Sequence, residues 1–210
     1  RGGLRHGRGG RRAPCIRPDL RQRQIFLYIK AAALPGGKVA LGSQHLVGGV
    51  HSVYRDRQFR RQPPLLTAGD REKCNTMTIG WCQLGSLWSI PVCTVFVRPE
   101  RYTYQFMEES RYFTVSVLPE EAKEITAYCG ARSGRDTDKI RDCGLTLCYG
   151  AGDAPFFDES EWVLVCEKLY AQDLSPEHMV VPSPIEKYYD AAHGGWHRSY
   201  IGRVVEVYHR

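Results

Sequence analysis

From Pro63 onward, the chain is a succession of short apolar or alternating segments, each closed by a turn signal. The segment IPVCTVFVRP, residues 90–99, is a continuous β-branched run that predicts a buried strand. Further strands are predicted for the segments PPLLTAG, NTMTIGW, RYFTVSVL, LTLCYG, EWVLVCEKLYAQDL and SYIGRVVEVYH. Six or seven short strands with brief helices between them predict a mainly β fold, a small antiparallel barrel with helical insertions.

The helical insertions are recognised by their spacing and end signals. RYTYQFMEES predicts a short helix whose Phe106 and Met107 face inward while Glu108 and Glu109 face out. PEEAKEITAYCG places a proline and two glutamates in the first turn, and Gly130 as the stop. SGRDTDKIRDCG predicts a loop and a second short helix that ends at Gly144.

The charge distribution divides the chain into two parts. Residues 1–61 hold 14 Lys and Arg against 2 Asp and Glu, and residues 62–210 hold 15 against 21. The basic part is rich in Gly and Arg with poor periodicity, which predicts a disordered extension or an aberrant segment outside the fold. An Arg/Gly arm that binds RNA is the alternative for this part. The acidic remainder, residues 62–210, is predicted to be the folded domain and argues against nucleic acid as its partner.

The eight cysteines include no CxxC pair, and no histidine joins them at zinc-ligand spacing. Several cysteines lie inside apolar strands, so reduced thiols and a cytoplasmic location are expected. No apolar run approaches the roughly 18 residues that a membrane helix needs. The sequence therefore predicts a protein without metal or membrane span.

Two basic loop-to-helix joins lie in the otherwise acidic part. In VFVRPERYTYQF, Arg98, Arg101 and the Thr103 hydroxyl surround a helix start, where free N–H groups favour an anion. In ARSGRDTDKI, Ser133 and Arg135 precede a helix with Lys139 in its first turn. One phosphate group held between the two joins is the functional interpretation, and ordinary helix capping with solvated arginines is the other.

The sequence lacks the motifs of several other kinds of functional site. GxGxxG, GxxxxGK[ST] and GxSxG do not occur, which excludes the Rossmann and P-loop solutions and the usual serine nucleophile. His178, His193 and His197 are interpreted as structural hydrogen-bonding residues, because no cysteine or carboxylate accompanies them at a catalytic spacing. The sequence predicts no catalytic dyad.

Five segments together carry a family resemblance: TAGDREKCNTMTIGW, LGSLWSIPVCTVFVRPERYTYQFMEESRYFTVSVL, CGARSGRDTDKIRDCGLT, LVCEKLYAQDLSPE and HRSYIG. They resemble, in the same order, the flavin reductase-like FMN-binding split-barrel family, above all its flavoredoxin-like branch. The resemblance covers about residues 64–208. It implies a six-stranded antiparallel split β-barrel with short helical insertions that forms a homodimer, with FMN at the subunit interface. FMN is favoured over FAD because no adenosine-binding fingerprint is visible.

The resemblance also implies the residues around the cofactor. The strand residues Asn75, Thr76, Met77 and Thr78 would line the ring and ribityl side, with Trp81 against the flavin site. At the phosphate and ribityl end it implies a set of four residues, Arg98, Arg101, Tyr102 and Thr103. The second phosphate wall would consist of Ser133, Arg135 and Lys139, and the ring or substrate pocket would be bordered by Ala171, Gln172, Asp173 and His178.

The function implied is hydride transfer from NAD(P)H to flavin N5, with the protein supplying orientation and charge. The alternative within flavin chemistry is an FMN-bound electron carrier, reduced by a redox-protein partner without direct NAD(P)H turnover. The sequence departs from the family at Tyr54–Pro64, where arginines and two prolines replace an expected first strand. We therefore expect the barrel to be open at its N-terminal edge.

Overall fold

The computed structural model describes residues 39–40, 62–190 and 194–209 of the chain. Ten strands lie in these residues: β1 Val39–Ala40, β2 Leu65–Gly69, β3 Cys74–Thr78, β4 Cys82–Leu87, β5 Ile90–Val97, β6 Tyr112–Val117, β7 Leu147–Tyr149, β8 Pro155–Phe157, β9 Trp162–Asp173 and β10 Arg198–His209. Four α-helices accompany them: α1 Thr103–Glu109, α2 Lys123–Ala131, α3 Lys139–Asp142 and α4 Ser183–Tyr188. Single 3-10 turns cover Glu120–Ala122, Ala151–Asp153 and Pro176–His178.

Eight of the strands form one antiparallel sheet in the order β3-β2-β6-β9-β10-β5-β4, with β1 paired to the end of β10. Strands β7 and β8 form a separate two-stranded sheet. The mainly β, antiparallel class is confirmed, whereas the predicted count of six strands in the sheet is too low. The extra strand β4 was not predicted, because it lies at the edge of the sheet, contains Gly85 and Ser86, and is mostly exposed.

The prediction for residues 1–61 falls almost entirely outside the described residues. Only the two-residue strand β1 is described there, and it pairs Val39 with His209 and Ala40 with Tyr208. The disordered extension, the RNA-binding arm and the missing first strand at residues 54–61 all stay predictions. In the described sheet the two end strands are β3 and β4, and β2 is paired on both sides.

The core fills the inner face of the sheet with residues that alternate along its strands. Val95 and Val97 of β5, Phe113 and Val115 of β6, and Tyr200 of β10 are buried in one apolar cluster. Two register shifts between β9 and β10 bend this long pair around the core. The alternation predicted from the sequence therefore corresponds to the inward and outward faces of a closed core.

The three predicted helices lie where the end signals placed them, with one difference, whereas α4 was not predicted. In α1, Phe106 and Met107 are buried and Glu108 is exposed, as expected. Helix α2 continues through Gly130 to Ala131, so Gly130 is not its stop. Gly130 instead allows α2 to pack closely on β3, because a Cβ atom at this position would lie only 3.3 Å from Cβ of Thr78.

Helix α1 packs on β2 and β3, and helix α2 packs on β3. Both loop-to-helix joins predicted from the sequence are therefore brought to the same strand.

None of the described helices has the length and apolar character needed to cross a membrane. The seven described cysteines are all free thiols, in agreement with the absence of a disulfide framework in this part of the chain.

Candidate functional site

A polar cavity of about 230 Å³ lies between strand β3, the β5–α1 loop and the α2–α3 loop. It gathers nine of the residues predicted from the sequence: Asn75, Met77, Thr78, Arg101, Tyr102, Thr103, Ser133, Arg135 and Lys139. Six further residues complete its lining: Glu100, Cys129, Gly130, Ala131, Arg132 and Gly134. The two basic joins, more than 30 residues apart in sequence, thus face one another across a single cavity.

Lys139 is the buried cation of this cavity. Its side chain is held in place by two main-chain acceptors, with Nζ donating to the oxygens of Thr76 and Cys129, each at 2.9 Å. The residue is 4% exposed, and burial lowers the pKa of its ammonium group. Among the described residues, no carboxylate forms an ion pair with it. An ammonium group has three donors, so one remains for a ligand.

The charge of the lining is strongly positive. Four basic residues line the cavity, namely Arg101, Arg132, Arg135 and Lys139, against the single carboxylate of Glu100. That carboxylate accepts a hydrogen bond from the main-chain N–H of Gly195 at 2.6 Å. The cavity therefore favours an anion with several oxygen acceptors, such as a phosphate group.

Asn75 of β3 and Gly134 of the α2–α3 loop are in close contact in the wall of the cavity. The Asn75 amide donates to Oγ1 of Thr103 at 2.7 Å, which joins β3 to the start of α1. A Cβ atom on Gly134 would lie 2.0 Å from Oδ1 of Asn75 and 2.9 Å from the ring of Tyr102. Only glycine fits at this position, so the α2–α3 loop approaches β3 as closely as a main chain can.

The α2–α3 loop also contacts the β5–α1 loop around Tyr102. Arg135 donates through Nη1 to the main-chain oxygen of Glu100 at 3.1 Å, and its guanidinium lies 5.1 Å from the centre of the Tyr102 ring. Its main-chain N–H donates to Oγ of Ser133 at 3.2 Å. These contacts orient the loop while the Arg135 side chain stays exposed to a ligand.

Thr76 and Thr78 of β3 take different roles. The Thr76 hydroxyl accepts from Thr67 at 3.0 Å and donates to the Leu66 oxygen at 3.2 Å, so its side chain points into the sheet interior. Thr76 contributes its main-chain oxygen, which holds Lys139. Thr78 lines the cavity, and its hydroxyl donates to the Thr126 oxygen at 2.5 Å, which leaves its lone pairs available as acceptors.

Arg98 lies outside this cavity. Its guanidinium donates to the main-chain oxygens of Tyr188 at 2.8 Å and Gly195 at 2.5 Å, and it lies 5.4 Å from the Tyr189 ring. The side chain therefore ties the segment between β9 and β10 to the end of β5. A direct contact of Arg98 with phosphate stays a prediction, and the structure gives the residue a different set of partners.

Trp81 lies in a cluster of aromatic rings beside the cavity. The ring centres of Tyr188 and Phe96 are 5.2 Å and 6.4 Å away, with both rings nearly perpendicular to the indole. His197 lies 4.4 Å from the indole and contacts the Tyr189 hydroxyl through Nδ1 at 3.1 Å. Burial and the neighbouring Arg98 lower the pKa of His197 to about 4, so the ring is neutral at pH 7.

Gln172, Asp173 and His178 are not brought to the cavity. The Asp173 carboxylate is bound by Arg198 through two hydrogen bonds of 2.7 and 2.8 Å. Gln172, Asp173 and His178 line a separate depression with Ser199, next to the aromatic cluster. Their predicted place at the ring or substrate pocket stays a prediction.

Sequence reasoning missed the wall residues between the predicted ones and most of the aromatic cluster. Arg132 and Gly134 lie within the motif that carries the second join, and their signal was the basic, glycine-containing loop itself. Tyr188 and Tyr189 come from the segment EKYYD, about 90 residues after Arg98. Nothing in the local pattern of that segment indicates that it packs on Trp81.

Residues 57–210 match the family model described as flavin reductase like domain, so the chain belongs to that family. An FMN-binding domain of a flavin reductases-like enzyme from Shewanella baltica has a similar fold, with a TM-score of 0.58 and 21% identity, over 82% of this chain and 76% of that one. Flavoredoxin from Methanosarcina acetivorans has a TM-score of 0.56 and 22% identity, over 71% of this chain and 69% of that one. The split-barrel fold class predicted from the sequence is confirmed.

A further protein is similar in sequence to a smaller part of this chain than the two structures are. An uncharacterized protein of Aeropyrum pernix is 30% identical over 89 residues, which are 42% of this chain. The match spans 34% of the length of that relative.

Proposed function

We propose that this chain is an FMN-binding oxidoreductase of the flavin reductase type, which takes a hydride from NAD(P)H at flavin N5. The observation that carries the proposal is the buried Lys139, a cation with no described carboxylate partner in a basic cavity. A phosphate monoester supplies the negative charge and the acceptor oxygens that this cavity lacks. The family membership and the FMN named for the Shewanella relative support FMN as the bearer of that phosphate.

The residues present fit such a group. Lys139 and the arginines of the α2–α3 loop would hold the phosphate, and Asn75 with Thr103 would fix the distance between β3 and α1. The side chains of Met77 and Thr78 would face the ribityl chain and the ring edge. The glycine at position 134 would let main-chain groups approach the ligand closely.

When bound, FMN supplies the hydride chemistry, so the protein has to bind, orient and exclude water. The described lining of the cavity includes one thiol. Its one cysteine, Cys129, is buried, and burial raises the pKa of its thiol to about 12. A thiolate nucleophile at neutral pH is therefore not available there.

An absorbance spectrum of the purified protein is the first test. The proposal predicts the two long-wavelength bands of an oxidised flavin, either as purified or after addition of FMN and gel filtration. Anaerobic addition of NADH or NADPH is then expected to bleach the long-wavelength band. A protein that stays colourless with excess FMN would contradict cofactor binding itself.

An FMN-bound electron carrier is the second candidate. It is favoured by the similarity to flavoredoxin and by an aromatic surface beside Trp81, whose described lining residues carry no charge to hold a dinucleotide phosphate. The two candidates differ in one result: a carrier retains the oxidised spectrum when NADH or NADPH is added. Homodimer formation is part of both proposals, and sedimentation of the full chain tests it.

A further inference from the structure

An open groove of about 460 Å³ lies beside Trp81 and shares no lining residue with the cavity. The connection between β3 and β4, together with strands β4 and β5, forms its floor, and the segment between β9 and β10 forms its wall. Ten described residues line it: Gly80, Trp81, Cys82, Gln83, Phe96, Leu174, Met179, Pro184, Tyr188 and Tyr189.

The walls of the groove are flat aromatic surfaces. Phe96, Tyr188 and Tyr189 each meet the Trp81 indole at an interplanar angle between 72° and 90°. The four rings are half-buried, so each still presents part of its surface to the groove. Tyr189 is also stacked on Trp196, at 4.0 Å and 5°, which fixes its orientation.

None of the ten described lining residues carries a charge. The nearest guanidinium, that of Arg98, is already bound to the main-chain oxygens of Tyr188 and Gly195. His197 behind the indole is neutral, because burial lowers its pKa to about 4. The described lining itself therefore offers a charged ligand group no ionic partner to replace the water that the group would lose there.

Short connections link the groove to the cavity. Trp81 follows Thr78 by three residues, and Thr78 lines the cavity. Glu100 lines the cavity and accepts from the N–H of Gly195, while Arg98, two residues earlier, holds Tyr188 of the groove wall. A basic cavity and an uncharged aromatic groove are thus built side by side from the same loops.

We propose that the groove binds an uncharged planar ring, aromatic or conjugated, and that it discriminates against rings that carry an anionic group. The stacking faces around Trp81 supply the attraction, and the uncharged lining supplies the selectivity. The role of this ring as the second substrate rests on the proposed function, whereas its binding does not require FMN.

Isothermal titration calorimetry on the full chain without added FMN tests the proposal. The probes are 2-naphthol, which is uncharged at neutral pH, and naphthalene-2-sulfonate, which has the same ring system and a negative charge. We expect 2-naphthol to bind at least about tenfold more tightly than the sulfonate, since the charged group finds no partner in the groove. Equal affinities for the two probes would overturn the proposal.

Three variants locate the site. Trp81→Ala is expected to weaken 2-naphthol binding by about tenfold or more, because it removes the ring that the groove is built around. Trp88→Phe is the matched control, since Trp88 is 56% exposed in the β4–β5 turn, outside the groove, and its variant should bind as the unchanged protein does. Unchanged binding by Trp81→Ala would contradict the assignment.

Gln83→Lys keeps the test decisive if Trp81→Ala does not fold. Gln83 is exposed on the edge strand β4, so the substitution adds a cation at the groove without disturbing the core. Binding of naphthalene-2-sulfonate is expected to strengthen severalfold while 2-naphthol changes little, and no gain for the sulfonate would contradict the assignment. FMN binding is followed separately by absorbance, so failure of the groove and failure of the cofactor proposal are distinguishable.

Discussion

The side-chain oxygen of Asn75 occupies the space that a β-carbon of residue 134 would need, with only 2.0 Å between the two positions. Asn75 cannot move away freely, because its amide is hydrogen-bonded to Thr103. The α2–α3 loop and strand β3 are therefore in contact through a glycine and an anchored amide. This contact sets the width of the cavity.

Gly134→Ala is expected to push this loop away from β3 and to widen the cavity. We expect a loss of about 1–3 kcal/mol in the free energy of unfolding, as for other overpacked positions. FMN affinity should fall by about tenfold or more, since the two walls no longer contact one ligand together. Urea unfolding and FMN titration measure the two effects. Gly85→Ala on edge strand β4 is the control, because nothing lies within 4 Å of its added Cβ atom.

Lys139→Met removes the buried cation while it keeps most of the side-chain volume. FMN affinity should fall by about 10- to 100-fold, the range for loss of a charge-assisted hydrogen bond. Quenching of flavin fluorescence during titration gives the dissociation constant. Lys123→Met, at the exposed start of α2, should leave it unchanged. Equal affinities of the two variants would remove Lys139 from the phosphate site.

FMN affinity should also depend on pH through Lys139. Burial lowers the pKa of its ammonium group in the free protein, so this group loses its proton at a lower pH than an exposed lysine does. Above about pH 7.5 the phosphate is already doubly charged, so its own titration no longer contributes. Affinity is then expected to fall as pH rises toward about 10, with one proton taken up on binding. The same titrations on Lys139→Met should lack this component, and a parallel slope in both proteins would contradict the assignment.

Arg98→Lys tests whether Arg98 positions the groove wall or contacts the phosphate. A lysine is not able to bridge the oxygens of Tyr188 and Gly195 as the planar guanidinium does. We expect faster amide hydrogen exchange across residues 174–190, with FMN affinity within about twofold of the unchanged protein. Reduced FMN affinity with unchanged exchange would instead support the phosphate role. Arg141→Lys is the control, since Arg141 is largely exposed and its ion pair within the described residues is with its neighbour Asp142.

The strands were predictable because their signal is local. β5 and β6 carry β-branched residues at alternating buried positions, so the sequence contains both their type and their inward face. Strand β4 was missed because most of its positions are exposed, and Gly85 and Ser86 are typical of a loop. Its place in the sheet depends on pairing with β5, a tertiary interaction that no periodicity reports.

Two basic loops could be predicted from the sequence. That the two loops form one site was an inference from the hypothesis that they hold the same phosphate group. The burial of Lys139 was not predictable, because in the segment TDKIRD it has the appearance of a solvated helix start. The partners of Arg98 lie 90 and 97 residues away in sequence. Such contacts arise only after the chain has folded, so local patterns carry no information about them.

The burial of Lys139 couples the folding equilibrium to ligand supply. In the free protein its charge is stabilised by the Thr76 and Cys129 carbonyl oxygens, which recover only part of the hydration that burial removes. A bound anion supplies the missing counter-charge, and it does so only in the native state, since the unfolded chain has no such cavity. The melting temperature should therefore rise with the concentration of that anion, so the lifetime of the folded polypeptide depends on how much of the anion is bound.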